Sequence, residues 1–227
     1  MDNIHSTDVN FNLNLVAPFV FTSDVADIHQ GNVWYAMDRE APMRLFTAIG
    51  FDSATRQSLL RIQQDLQQVC VKGNFTALDN LHLTLVFLGE TDRNRIPEII
   101  QAMDGVPVPP FNLSFNNVGF FKRNGRDIWW IGPQRNETLF GLYTALASHL
   151  GASGFSMDRS VFIPHLTLAR EVLLRDTDNQ KNPCGSIPPI TTAVYNFSLM
   201  ESSRMDGKLT YTPLYTRELP GHSSSDH

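Results

Sequence analysis

The chain reads as an α/β protein of two similar lobes, and three features carry that reading. The tetrapeptide His-Leu-Thr-Leu occurs twice, at His82 to Leu85 and at His165 to Leu168. Apolar, β-branched runs of strand character alternate with runs of helical period, and Asn124-Gly125 and Asp206-Gly207 stand between such runs as hairpin turns. A repeated tetrapeptide beginning with histidine should arise by chance in on the order of one such chain in a few hundred. The copies lie 83 residues apart, an interval long enough to hold a full α/β lobe, so the two motif strands are expected to meet about a pseudo-two-fold axis.

In chain order, Arg44 to Phe51 is apolar and predicts a strand, and residues 53–70 predict a helix. The first motif strand covers 82–88, where Leu85-Val86-Phe87-Leu88 extends the apolar run. A short helix is expected over 95–104, with Pro97 suited to its first turn. Strands over 111–121 and 127–132 flank Asn124-Gly125. The next helix, over 137–150, places Leu139, Leu142, Tyr143, Leu146 and Leu150 on one stripe, which is core rather than ligand surface. The second motif strand is expected over 161–169. A polar, proline-bearing loop from Glu171 to Pro189 follows, either bordering a cleft or serving as a connector. Strands over 191–202 and 208–217 close the chain around Asp206-Gly207. The expected organisation is an N-terminal appendage over 1–42, a bilobal domain over 43–218 and a flexible tail over 219–227. Met43 is a candidate biological start.

Side chains two apart on a strand share a face, so His82 and Thr84 point one way while Leu83 and Leu85 point to the core. The same holds for His165 and Thr167 against Leu166 and Leu168. Imidazole titrates near pH 6.5, so one histidine can hold a proton while its twin accepts one. Displacement at phosphorus needs a base on the incoming oxygen, an acid on the departing one and donors for the non-bridging oxygens. Two His-x-Thr strands supply that set without a metal. Neither histidine has a second His, Cys or Asp at ligand spacing, although Glu90 and Glu171 lie nearby. His5, His29, His149, His222 and His227 lack any such motif.

These residues resemble the 2H phosphoesterase superfamily and, within it, the bacterial RNA 2′,3′-cyclic phosphodiesterases, also called 2′-5′ RNA ligases. Arg44 to Ile49 resembles the family's opening strand, Asn80 to Gly89 its first motif, Pro164 to Arg170 its second and Tyr211 to Leu214 its closing strand. The resemblance implies two pseudo-symmetric lobes of mostly antiparallel sheet with flanking helices, the His-x-Thr strands lining a central cleft. It implies metal-independent hydrolysis of an RNA 2′,3′-cyclic phosphate to a 2′-phosphate without cofactor, with reversible 2′-5′ joining as a side activity. His82 then becomes the proton donor and His165 the proton acceptor, or the reverse. Thr84 and Thr167 would hold phosphate oxygens. Arg170 would add charge to the phosphate or stack on a base, and Phe87, at the matching place, is either the opposing base platform or core. Small cyclic nucleotides are alternative substrates. A sister activity, such as trimming RNA 3′ ends, and a non-catalytic RNA-end-binding module are the rival functions.

Composition bounds this reading. With 42% apolar and 18% charged residues in 227, the chain is an ordinary globular unit, expected to be a monomer. No apolar run approaches the roughly 20 residues that span a bilayer. Cys70 and Cys184, in a chain with no evident export signal, suggest the reducing cytoplasm, with a bond between them left open. The net charge of −5 sits wholly in residues 1–42, which hold six acids and Arg39, and the remainder is neutral with 17 basic and 17 acidic residues. Such a balance fits gripping one RNA end rather than a long basic groove. Lys122, Arg123 and Arg126 around Asn124-Gly125 are the exception, able to reach RNA from a loop tip or simply forming a solvated turn.

Overall fold

The computed structural model describes residues 41–124, 126–156, 160–175, 184 and 187–221. In chain order its elements are β1 (Met43–Ile49), α1 (Ser53–Val69), β2 (Cys70–Phe75), β3 (Leu83–Thr91), α2 (Ile96–Asp104), β4 (Phe111–Phe121), β5 (Asp127–Pro133), α3 (Glu137–Ala152), β6 (Leu166–Leu174), β7 (Ile190–Val194), β8 (Asn196–Met205) and β9 (Lys208–Glu218). The strands form two antiparallel sheets, one in the order β3-β1-β8-β9 and the other β2-β6-β5-β4-β7.

Local chemistry sets the helix starts. Asp52 caps α1 by accepting from the Thr55 amide at 2.6 Å, and Asn136 caps α3 by accepting from the Leu139 amide at 2.9 Å. The expected stripe of α3 is buried at Leu139, Leu142, Leu146 and Leu150, while Tyr143 is only half-buried and stacks on Phe162 at 4.0 Å. α1 packs on the five-stranded sheet, through β2, β6 and β7, whereas α3 lies against β3 and α2 against both α3 and β9. Asp206 and Gly207 both adopt positive φ, 51° and 76°, as a two-residue hairpin between β8 and β9 requires. Asn124 is likewise left-handed, at φ 45°; Gly125, its expected turn partner, lies outside the described residues.

Four expectations need correction. The interval between the motifs does not enclose one lobe: the four-stranded sheet takes β1 and β3 from before it closes and β8 and β9 from after, while β2 joins the other sheet. β2 had no strand signal, because Lys72, Gly73 and Asn74 are poor strand formers and the strand follows α1 without a turn residue. The second motif strand runs over 166–174 rather than 161–169, since Pro164 cannot donate to a ladder and Phe162 leaves the sheet to pack against Phe140 and Tyr143 of α3. The loop therefore begins only after Leu174, and much of it lies outside the described residues, as do residues 1–40 of the appendage and 222–227 of the tail. Finally, 191–202 is two strands: at Tyr195 the chain leaves β7 in one sheet and enters β8 in the other.

Candidate active site

β3 and β6 begin with the same alternation. Leu83 and Leu166 are buried, Thr84 and Thr167 are partly open, the next two residues are both buried, and Phe87 and Arg170 are exposed. Two consecutive buried residues break the strand period, and the register shows why. Ala48 pairs with Thr84 but Thr47 with Val86, and Trp130 pairs with Thr167 but Trp129 with Ala169, so Leu85 and Leu168 are the extra residues of matching bulges. In a regular strand a residue five after the histidine would face away from it. The bulge reverses that parity and returns Phe87 and Arg170 to the face of His82, Thr84, His165 and Thr167.

Both bulges are held from outside. In the first, the buried Thr47 hydroxyl accepts from the Val86 amide at 3.1 Å and donates to the Val86 carbonyl at 3.4 Å. In the second, the Leu168 carbonyl accepts from the Gln63 side chain at 2.7 Å and from the Thr76 amide at 2.9 Å, while the Thr76 hydroxyl donates to the Thr167 carbonyl at 2.8 Å.

The histidines are built alike. Nδ1 of His82 lies 2.7 Å from the Asn80 carbonyl, and Nδ1 of His165 lies 2.8 Å from the Ile163 carbonyl. A carbonyl only accepts, so each Nδ1 carries the hydrogen and each Nε2 is the nitrogen that gains or loses a proton. Each ring also meets an aromatic edge at 5.0 Å: His82 against Tyr211 at 85°, His165 against Phe121 at 87°. Phe46 completes the first housing at 5.0 Å and Trp130 the second at 6.3 Å. The Trp130 indole lies over Gly119 and Gly132; a Cβ at Gly119 would come within 2.4 Å of the indole, so only glycine fits there. The halves differ in one bond. Nε2 of His82 is 3.0 Å from the Thr84 hydroxyl, whereas among the described residues Nε2 of His165 has no partner.

Burial pushes both histidines below the ordinary value by penalising the charged ring; the Nδ1 bonds to backbone carbonyls oppose it. The Arg170 charge lowers both further, and His165 acts on His82 as well. Arg170 thus lies within electrostatic reach of both rings, and also of Tyr211, whose pKa is raised by burial and lowered by Arg170 and Arg44. Among the described residues Arg170 forms no ion pair with a carboxylate. Phe87 is 42% exposed, its ring covered on one side by the Arg44 guanidinium at 4.9 Å. Glu90 pairs with Arg44 at 3.8 Å and Glu171 with Arg126 at 3.7 Å. No group of three or more His, Cys, Asp or Glu suited to a metal occurs among the described residues.

Comparison with known proteins places this arrangement. The LigT-like phosphoesterase model matches residues 49–130. An RNA 2′,3′-cyclic phosphodiesterase of Thermotoga maritima is 30% identical over 190 residues, covering 79% of this chain and 97% of the relative. The chain belongs to the LigT-like phosphoesterase family. The Escherichia coli relative, also named RNA 2′,3′-cyclic phosphodiesterase, is 30% identical over 177 residues, covering 76% of this chain and 94% of its own. The crystal structure of E. coli LigT complexed with 3′-AMP superposes with a TM-score of 0.66 at 30% identity, covering 79% of this chain and 99% of that one. A Thermus thermophilus structure at 24% identity and TM-score 0.62 shares the fold.

Within this LigT-like fold all six residues singled out from the sequence fall on the two motif segments, on the faces the bulges align. Four residues of the site carried no such signal: Phe46, Phe121, Trp130 and Tyr211. Each lies on a different strand from the histidine it houses, and strand pairing alone brings it there. Phe46 and Tyr211 stand in the two segments that resemble the family's opening and closing strands, which was the available clue. No helix among the described residues is long and apolar enough to cross a membrane.

Proposed function

We propose that this chain hydrolyses 2′,3′-cyclic phosphates at RNA 3′ ends, leaving a 2′-phosphate. The observation that carries the reading is the pair of histidines whose Nδ1–H groups are tied to backbone carbonyls, so that both Nε2 atoms are reserved for proton exchange. Water attacks phosphorus as its proton passes to Nε2 of His165. The bond from phosphorus to the 3′ oxygen breaks as Nε2 of His82 delivers a proton to that oxygen. Each cycle ends with the proton on the other histidine, and exchange with solvent restores the start. With the 5′-hydroxyl of a second strand in place of water the same relay joins 2′-5′ ends, and run backwards it splits them.

Thr84 and Thr167 donate to the non-bridging oxygens and Arg170 offsets their charge. The bulges support a further role for Phe87 and Arg170, which share the histidine face and hold the terminal base between ring and guanidinium. The names of the relatives support RNA as substrate, and the 3′-AMP complex of E. coli LigT supports a nucleotide-sized site. The test is incubation in excess chelator with an oligoribonucleotide ending in a 2′,3′-cyclic phosphate. A 2′-phosphate product is expected; a 3′-phosphate or a shortened strand would replace this activity with a sister reaction.

A further inference from the structure

The turn between β4 and β5 carries Lys122, Arg123 and Arg126, three of the 17 basic residues in a stretch, 43–227, that is neutral with them included. Its place in the fold is set by two contacts. Phe121, the last residue of β4, lies edge-on against His165, and the Arg126 guanidinium pairs with Glu171, the residue after Arg170. Continuing the alternation of β5 puts Arg126 on the face of Ile128 and Trp130, which is the histidine face. Trp130 is level with Thr167, and four residues along β5 at about 3.3 Å each place Arg126 about 13 Å further along the cleft wall. At about 3.4 Å per stacked nucleotide, that is the reach of a strand's next few phosphates beyond the terminal one.

The charge of Arg126 is only partly countered. Asp127 is buried and accepts from the Arg123 amide at 2.8 Å, and Glu171 shares its carboxylate between Arg126 and the Asn74 amide. The Arg126 side chain stays 76% exposed, so its charge remains available to a solvated anion.

We propose that Lys122, Arg123 and Arg126 form a phosphate track for the RNA strand leading into the site. This rests on the cyclic-phosphate reading above. A three-phosphate track on single-stranded RNA makes log(kcat/KM) for an oligonucleotide fall with log[salt] at a slope of about −2, from about −0.7 per contact. A mononucleoside 2′,3′-cyclic phosphate reaches none of these side chains.

The experiment measures kcat/KM against salt for a cyclic-phosphate decanucleotide and a mononucleoside cyclic phosphate, in the unaltered protein and in Lys122→Ala/Arg126→Ala. The expected result is a double variant whose oligonucleotide slope is shallower by about 1.4 while its mononucleotide kinetics are unchanged. Lys122→Glu/Arg126→Glu should weaken the oligonucleotide further, again sparing the mononucleotide. Equal salt slopes for both substrates in the unaltered protein, or equal losses on both in the variants, would overturn the track while leaving the cyclic-phosphate reading intact. Failure to turn over either substrate would overturn the reading and the track with it.

Discussion

The buried amide of Gln63 donates to the carbonyl of Leu168 at 2.7 Å, across 105 positions of chain. Leu168 is the bulge residue that turns Arg170 to the histidine face, so a helix outside the cleft sets the geometry within it. Gln63→Met keeps the volume and removes the donor. It should cost about 1–3 kcal/mol of stability, seen as a lower urea midpoint. It should also lower kcat/KM about tenfold by loosening Thr167 and Arg170, whereas a role in stability alone would leave the kinetics of the folded variant unchanged.

The pH dependence follows from two histidines held below 6.5 by burial, with Arg170 adding to the depression. The active form carries one proton on the pair, so kcat/KM should be bell-shaped with its optimum below about pH 6.5. Bound phosphate favours the charged rings, so the kcat profile should lie at higher pH. A kcat/KM optimum above about pH 8 would contradict the assignment. Because the folded rings bind protons less readily than the unfolded ones, the unfolded chain takes up more protons as pH falls below about 6.5. Stability is therefore full above that value and declines through the folded pKa values, a slope that His82→Gln/His165→Gln should flatten in urea titrations.

Tyr211 and His82 meet edge to face with ring centroids 5.0 Å apart, so Tyr211 is part of the wall that buries the imidazole. Tyr211→Ala should open the ring to water and raise the His82 pKa toward 6.5, read by NMR titration of its Cε1 proton. Tyr211→Phe keeps the wall and should leave that pKa within a few tenths of a unit. If alanine and phenylalanine shift it equally, the hydroxyl rather than the wall governs His82.

Thr47 stitches the first bulge as Gln63 does the second, its hydroxyl meeting both amide and carbonyl of Val86. Thr47→Val is nearly isosteric but leaves these buried groups unpaired, and should cost about 1–3 kcal/mol by thermal or urea melting. A neutral outcome would show that the bulge holds without it.

The chemistry of the site was legible because each motif packs its histidine and threonine into three consecutive residues, so strand period alone puts them on one face. The place of Phe87 and Arg170 was readable only as a matched spacing; five positions on a regular strand would have faced them away, and the bulges at Leu85 and Leu168 leave no local signature. The aromatic housings were barely legible: the resemblance marks the segments of Phe46 and Tyr211 but not their role, and nothing marks Phe121 or Trp130. Phe46, Phe121, Trp130 and Tyr211 sit in runs that look like ordinary core strands, and their role depends on which strand pairs with which. The same non-local pairing hid β2 and interleaved the lobes, since edge strands and crossovers are decided by tertiary packing rather than by propensity.

The central claim is that His82 and His165 act as one unit on a cyclic phosphate. It is tested most directly by single-turnover rates of His82→Ala, His165→Ala and the double variant on a 2′,3′-cyclic phosphate oligonucleotide, with circular dichroism confirming the fold of each. Each single variant should lose a factor of about 10² or more, and the double variant should lose little beyond either single one. A folded double variant that turns over substrate at near the unaltered rate would contradict it.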